Sequence, residues 1–141
     1  MLLQELFTHT TAAEWRQSPA GEEAAFMDST GRRVTVYFMD YSQDNSVIAD
    51  IEFERDGRQS VTGAGAAAEV LSSVVNLISE YLSRNKPDFV IFGASGESRR
   101  SLYAAMVRRL AQPMGYTSVP VSEVPGGFGN SAGVFALARL V

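Results

Sequence analysis

The hydrophobic pattern of this chain switches between a two-residue and a 3.6-residue period, and the switches mark its elements. From Ala24 to Met39 it reads as a hairpin. Ala24-Ala25-Phe26-Met27 runs into the turn residues Asp28-Ser29-Thr30-Gly31, and Val34-Thr35-Val36-Tyr37-Phe38-Met39 returns. A polar stretch from Asp40 to Ser46 leads to a third strand, Val47 to Glu54. Its second half alternates, with Ile51 and Phe53 on one face and Asp50, Glu52 and Glu54 on the other, so one side of that strand meets water. Before the hairpin, a threonine-capped short helix is expected around Ala12 to Gln17.

The strongest periodic signal runs from Ala66 to Ser83. At about 100° per residue, Val70, Leu71, Val74, Val75, Leu77, Ile78, Tyr81 and Leu82 fill one half of the wheel. Glu69, Ser72, Ser73, Asn76, Ser79, Glu80 and Ser83 fill the other. So wide an apolar arc suits a helix lying flat on a sheet. Its outer serines are mediocre helix formers, so packing must hold it.

After Lys86-Pro87, the run Asp88-Phe89-Val90-Ile91-Phe92 is continuously apolar beyond its first residue, the pattern of a central strand buried on both faces. Gly93-Ala94-Ser95-Gly96 breaks it, and a second helix is predicted from Glu97 to Gln112, stopped by Pro113 and Gly115. Tyr116 to Val121 and Val134 to Val141 read as closing strands, joined by the glycine-rich run Pro125 to Gly133. Residues 1–141 therefore read as a single α/β domain with the order β-β-β-α-β-α-β-β after a short N-terminal segment.

Composition narrows the chemistry. The chain has no cysteine, which excludes disulfides and thiolate metal sites, and its single histidine, His9, excludes any multi-histidine centre. No metal site is expected. The formal net charge of −4 argues against general nucleic-acid binding, which draws most of its affinity from a basic surface. Arg99, Arg100, Arg108 and Arg109 fall at about 0°, 100°, 180° and 280° around their helix, so they form no stripe for reading a groove. Arg99, near a helix start where the macrodipole disfavours a cation, is expected to pair with a carboxylate such as Asp88 or to meet a ligand phosphate. The start of the chain lacks the basic region of a signal peptide, and no apolar run approaches the roughly 20 residues of a membrane span.

The junction Val61-Thr62-Gly63-Ala64-Gly65-Ala66 opens the long helix with small residues. Unpaired N–H groups and a partial positive charge at a helix start favour phosphate there, and glycine also simply turns the chain. It is neither a P-loop nor a dinucleotide fingerprint, since no Gly-Lys-Ser/Thr and no third glycine follow. Asp40, Asp44, Asp50, Glu52 and Glu54 lie on one side of a hairpin and read first as a solvated face.

The element order, Gly63-Ala64-Gly65, Leu102-Tyr103 and Gly115-Tyr116 resemble the core of the GNAT acetyltransferases. The resemblance implies a GNAT-like mixed sheet. It also implies that Gly63, Ala64, Gly65 and Ala66 hold the pyrophosphate of acetyl-CoA through backbone amides, with Arg99 as a further cofactor contact. Glu52 or Glu54 would be the general base, and Tyr103 the acid that protonates the leaving thiolate. Ser60 stands at the family's Gln/Arg position, and Gly115 lies twelve positions after Tyr103, farther than the family's usual spacing.

Lys86-Pro87-Asp88, Phe92-Gly93-Ala94 and Ser98-Arg99 with Leu102-Tyr103 are similar to a group of small tailed-phage proteins over about residues 47 to 116. This implies a phage protein in the host cytoplasm or the virion. Two functions follow as expectations. One is a binding module that keeps the fold, loses the chemistry and acts on a host or virion protein through the acidic strand face and Gly126 to Gly133. The other is an acyl-CoA-dependent N-acetyltransferase.

Overall fold

A computed structural model of the chain describes residues 13–19, 21–55, 67–92, 104–105, 107–126 and 135–140. The described strands are β1 (Glu14–Ser18), β2 (Gly21–Met27), β3 (Arg33–Gln43), β4 (Ser46–Arg55), β5 (Phe89–Phe92), β6 (Tyr116–Val119) and β7 (Phe135–Arg139). They form one sheet in the order β1-β2-β3-β4-β5-β7-β6. Helix α1 (Ala67–Asn85) lies between β4 and β5 in the chain, and β4 and β5 run parallel, whereas every other pairing is antiparallel. The fold is therefore α/β with a mixed, mostly antiparallel sheet. A long connection is what a parallel pair requires, and α1 belongs to it.

Among the described residues four strands precede α1, where three were expected. Residues 14–18 form β1 and not a helix, with Trp15 in register with Ala24. The Trp15 ring stacks on Phe38 at 5.5 Å between centroids, and Phe38 stacks on Tyr81 of α1 at 4.3 Å. Pairing with β2 and this aromatic stack override the helix propensity of Ala-Glu-Trp-Arg, as tertiary contacts commonly do. The β1–β2 connection works only with glycine at position 21, because a β-carbon there would run into the Phe38 carbonyl.

The two hairpin turns are set by local chemistry. At the β2–β3 turn, Asp28 Oδ1 accepts from Thr30 N (2.9 Å), Thr30 Oγ1 (2.6 Å) and Arg32 N (3.0 Å), while Gly31 takes φ +83°. At the β3–β4 turn only Asp44 and Asn45 leave the ladder, with φ of 50° and 63°. That is the two-residue loop with left-handed central residues that matches strand twist. The stretch Asp40 to Ser46, expected to be a polar connection, is therefore mostly strand, and its polarity reflects exposure at a hairpin tip.

One face of the sheet packs on α1. Val34, Val36, Phe38, Ile51, Phe53, Val90 and Phe92 meet Val70, Val74, Leu77, Ile78, Tyr81 and Leu82 of the helix. Residues 107–111 are helical, and Val107 and Leu110 join the same cluster. On the other face, Ile48, Ile91 and Ala136 form a smaller cluster with Val124, which follows a 3₁₀ turn at Val121–Glu123. Strand β5 is thus buried on both faces, as its apolar run predicts. Strand β6 stops at Val119 rather than Val121 because Pro120 follows and the chain turns into the 3₁₀ segment.

Ser73, placed by the wheel on the outer half of α1, is buried at 2% exposure. It stands about 40° from Leu77, so a small side chain there falls inside the contact arc. Leu71 and Val75, at the margins of the arc, are only partly buried.

Candidate functional site

The parallel ladder pairs Ile48 to Ile51 with Phe89 to Phe92, and β4 then continues to Arg55. The carboxyl end of β4 thus extends past the described end of β5. Alternation along the strand places Asp50, Glu52 and Glu54 on the face away from α1, about 7 Å from one to the next. Ile51 and Phe53, between them, are buried against α1, so the expected division of faces holds.

Strand β3 lies beside this row. Tyr37 is in register with Glu52, and its hydroxyl donates to Glu54 Oε1 at 2.6 Å. Burial pushes the Tyr37 phenol up to about 12, helped by the hydrogen bond and charge of Glu54 and by the charge of Glu23. Asp50 sits between Met39 of β3 and Ile91 of β5 in the register, so apolar neighbours strip it of water. That burial, and next the charge of Glu52, push its carboxyl up to about 6. Tyr41, half-way to the hairpin tip, is raised for the same two kinds of reason: burial first, then the charges of Asp50 and Glu52.

The row therefore contains a carboxyl pushed up to about 6 and a second carboxyl group held by a tyrosine. A carboxyl in that range can take or give a proton at working pH. Glu52 and Glu54 were visible from sequence as candidates. Asp50 and Tyr37 were not, because what singles them out is the register of three strands, which no local pattern prints.

The acidic set does not hold together as one face. Asp40 lies on the α1 side of the sheet and accepts a hydrogen bond from Tyr81, and Asp44 is in the β3–β4 turn. Strand alternation separates Asp40 from Asp50, because the register sets Asp40 opposite Ala49. Asp88 is also placed differently from expectation. Its Oδ1 accepts from Arg139 Nη2 at 3.1 Å and its Oδ2 from Val47 N at 2.8 Å, which ties β7 and β4 to the start of β5. Arg99, the partner expected for Asp88, lies outside the described residues, as do Gly63, Ala64, Gly65, Ala66 and Tyr103. His9 and Gly127 to Gly133 lie outside them too. Arg108 and Arg109 are described and exposed.

Among the described residues, no helix is long and apolar enough to cross a membrane. Compared with protein-family models and with curated proteins, the chain finds no match in either.

Proposed function

We propose that this chain is a GNAT-like domain that binds acyl-CoA beside the carboxyl ends of β4 and β5 and passes the acyl group to a primary amine. The observation that carries the reading is the pair Glu52 and Glu54 on β4, directly beyond the one parallel pairing of the described sheet, with Asp50 inside it. The strand order, with α1 lying between two parallel strands inside an otherwise antiparallel sheet, is consistent with the GNAT resemblance of the sequence.

In this reading acyl-CoA supplies an activated thioester. Backbone amides of Gly63 to Ala66 bind its pyrophosphate, with Arg99 as a further contact. Glu54, oriented by the Tyr37 hydroxyl, or Glu52 takes a proton from the incoming ammonium. Asp50 adds negative charge that draws a cationic acceptor to the same face. The C–N bond forms as the C–S bond breaks, Tyr103 gives its proton to the departing sulfur, and the second proton lost from the nitrogen restores the one Tyr103 gave.

A second reading has its own observation. Tyr41, at 43% exposure, shares the face of Asp50 and Glu52, and an exposed aromatic side chain beside charge suits contact with another protein. A phage-encoded binding module that meets a host or virion protein there would keep this fold without turnover.

Acetyl-CoA decides between them. At about 100 times its dissociation constant a ligand adds about 2.7 kcal/mol of stability, so millimolar acetyl-CoA should raise the melting temperature visibly. Thiol release with an amine acceptor, lost in Glu54→Gln or Glu52→Gln, is then expected. Melting unchanged by acetyl-CoA would remove the acyl-transfer reading, and binding without thiol release would leave the binding module.

A further inference from the structure

The strand at the β1 end of the described sheet is held differently from the rest. The ladder of β1 runs to β2 alone, over five residues. Glu14, Arg16 and Gln17 are exposed, Ser18 is half-buried, and Trp15 is the one that packs against the core cluster. Arg16 also pairs with Glu23 across the ladder, but its side chain is exposed and solvent screens the pair. By contrast, β2 is bonded on both sides and buries Ala24, Ala25 and Phe26.

Trp15 is seated by two neighbours from different elements. Its ring stacks on Phe38 of β3, and the Arg84 guanidinium of α1 lies 4.7 Å from its centroid. The negative π surface of an indole attracts a cation placed over it. Arg84 is itself aimed, since its Nη1 donates to Glu22 Oε1 at 3.1 Å. The Glu22 side chain is only 12% exposed, so salt screens this pair less than a surface pair. The last turn of α1, the start of β2 and the edge strand therefore meet at one indole.

What lies beneath does not depend on β1. Phe38 keeps its stack on Tyr81 at 4.3 Å and its register with Glu22 and Ile51. Elements with few buried apolar contacts open below the free energy of global unfolding, and β1 is such an element. Its loss would bare the outer edge of β2, where Ala24 to Met27 is an uncharged, apolar run. An edge of that kind is a template for pairing with other chains, whereas β1 carries Glu14 and Arg16 and is followed by Pro19.

We infer that β1 is a latched guard strand: it lifts from β2 as a unit while the rest of the sheet stays folded, and the seat of Trp15 on Phe38 and Arg84 sets how often it does. The inference uses no residue of the acyl-transfer site, so it stands apart from that reading.

The test is amide hydrogen exchange of the full chain, followed by NMR, with acrylamide quenching of Trp15, the only tryptophan, as a second readout. The β1 amides bonded to β2 should be at least about a hundredfold less protected than those of β3. Arg84→Gln should lower β1 protection by about twofold to fivefold more, the range of a partly exposed cation–π contact. It should also make Trp15 easier to quench and leave the β3 and β4 amides within about twofold of wild type. Glu22→Gln should act in the same direction through Arg84, so the double variant should open β1 no more than Arg84→Gln alone. Wild-type β1 amides as protected as those of β3 would overturn the inference, and so would variants that lower β1 and β3 protection alike.

Discussion

Tyr37 and Glu54 are joined by a 2.6 Å hydrogen bond across the β3–β4 ladder, on the diagonal, while the residue directly opposite Tyr37 is Glu52. The tyrosine donates, so the bond fixes one Glu54 oxygen without neutralising it. Tyr37→Phe should therefore cost about 0.5–1.5 kcal/mol in denaturant melts, the usual net value of such a bond. In a cycle with Glu54→Gln, a coupling near zero would show that the pair does not persist in solution. If Glu54 is the general base, Tyr37→Phe should also move the pH profile of thiol release, which loss of stability alone would not do.

Asp50 gives the fold a pH dependence. Its carboxyl is raised in the folded protein to about 6 from the ordinary 3.8, by burial first and the Glu52 charge second. The folded chain therefore holds a proton that the unfolded chain releases. Its contribution is fully present below pH 3.8 and is lost as pH rises through about 6. Asp50→Asn should remove this slope and stabilise the protein at pH 7 by at most about 3 kcal/mol, since a tenfold change in proton affinity corresponds to about 1.4 kcal/mol. Glu52 and Tyr41 are the titratable groups coupled to it, so the profile should also flatten in part in Glu52→Gln. Wild-type stability that does not fall between about pH 5 and 7 would rule out the raised carboxyl.

Helix α1 shows what a wheel can and cannot assign. Ile78 is fully buried, and Val75 is only partly buried at the margin of the same arc. Ile78→Asp should unfold the domain, because an unpaired buried charge costs several kcal/mol against a typical total of about 5–15. Val75→Asp should melt at a lower temperature and still fold. Far-UV circular dichroism and thermal melts of the two variants test the order, and equal behaviour would contradict the packing.

Periodicity carried the long helix, the β2–β3 hairpin, the two faces of β4 and the double burial of β5, because each depends on spacing within one segment. It failed where partners far along the chain decide. Trp15 makes a strand of residues 14–18 by stacking on Phe38, and the two-residue turn at Asp44-Asn45 turns a polar stretch into ladder. The site divided in the same way. Glu52 and Glu54 could be named from alternation alone, but the raised carboxyl of Asp50 depends on Met39 and Ile91, which reach it only through register.

The last prediction concerns Asp88, whose two oxygens serve different strands. Oδ1 meets Arg139 on β7, with both side chains more than a third exposed, and solvent-screened pairs of that kind contribute less than about 1 kcal/mol. Oδ2 accepts the N–H of Val47, while Asp88 N donates to the Val47 carbonyl at 2.8 Å and Arg139 N donates to the Asp88 carbonyl at 2.9 Å. The side chain thus closes the start of the β4–β5 pair, where Val47 has no ladder partner on that side. Arg139→Ala should therefore cost little, and that cost should shrink in high salt. Asp88→Ala should cost more, because it also leaves the Val47 N–H without its acceptor. Asp88→Asn keeps one amide oxygen to accept from Val47 and should fall between them. Denaturant melts of the three variants at low and high salt test the ordering. An Arg139→Ala loss equal to that of Asp88→Ala would show that the ion pair, and not the Val47 hydrogen bond, holds this corner of the sheet.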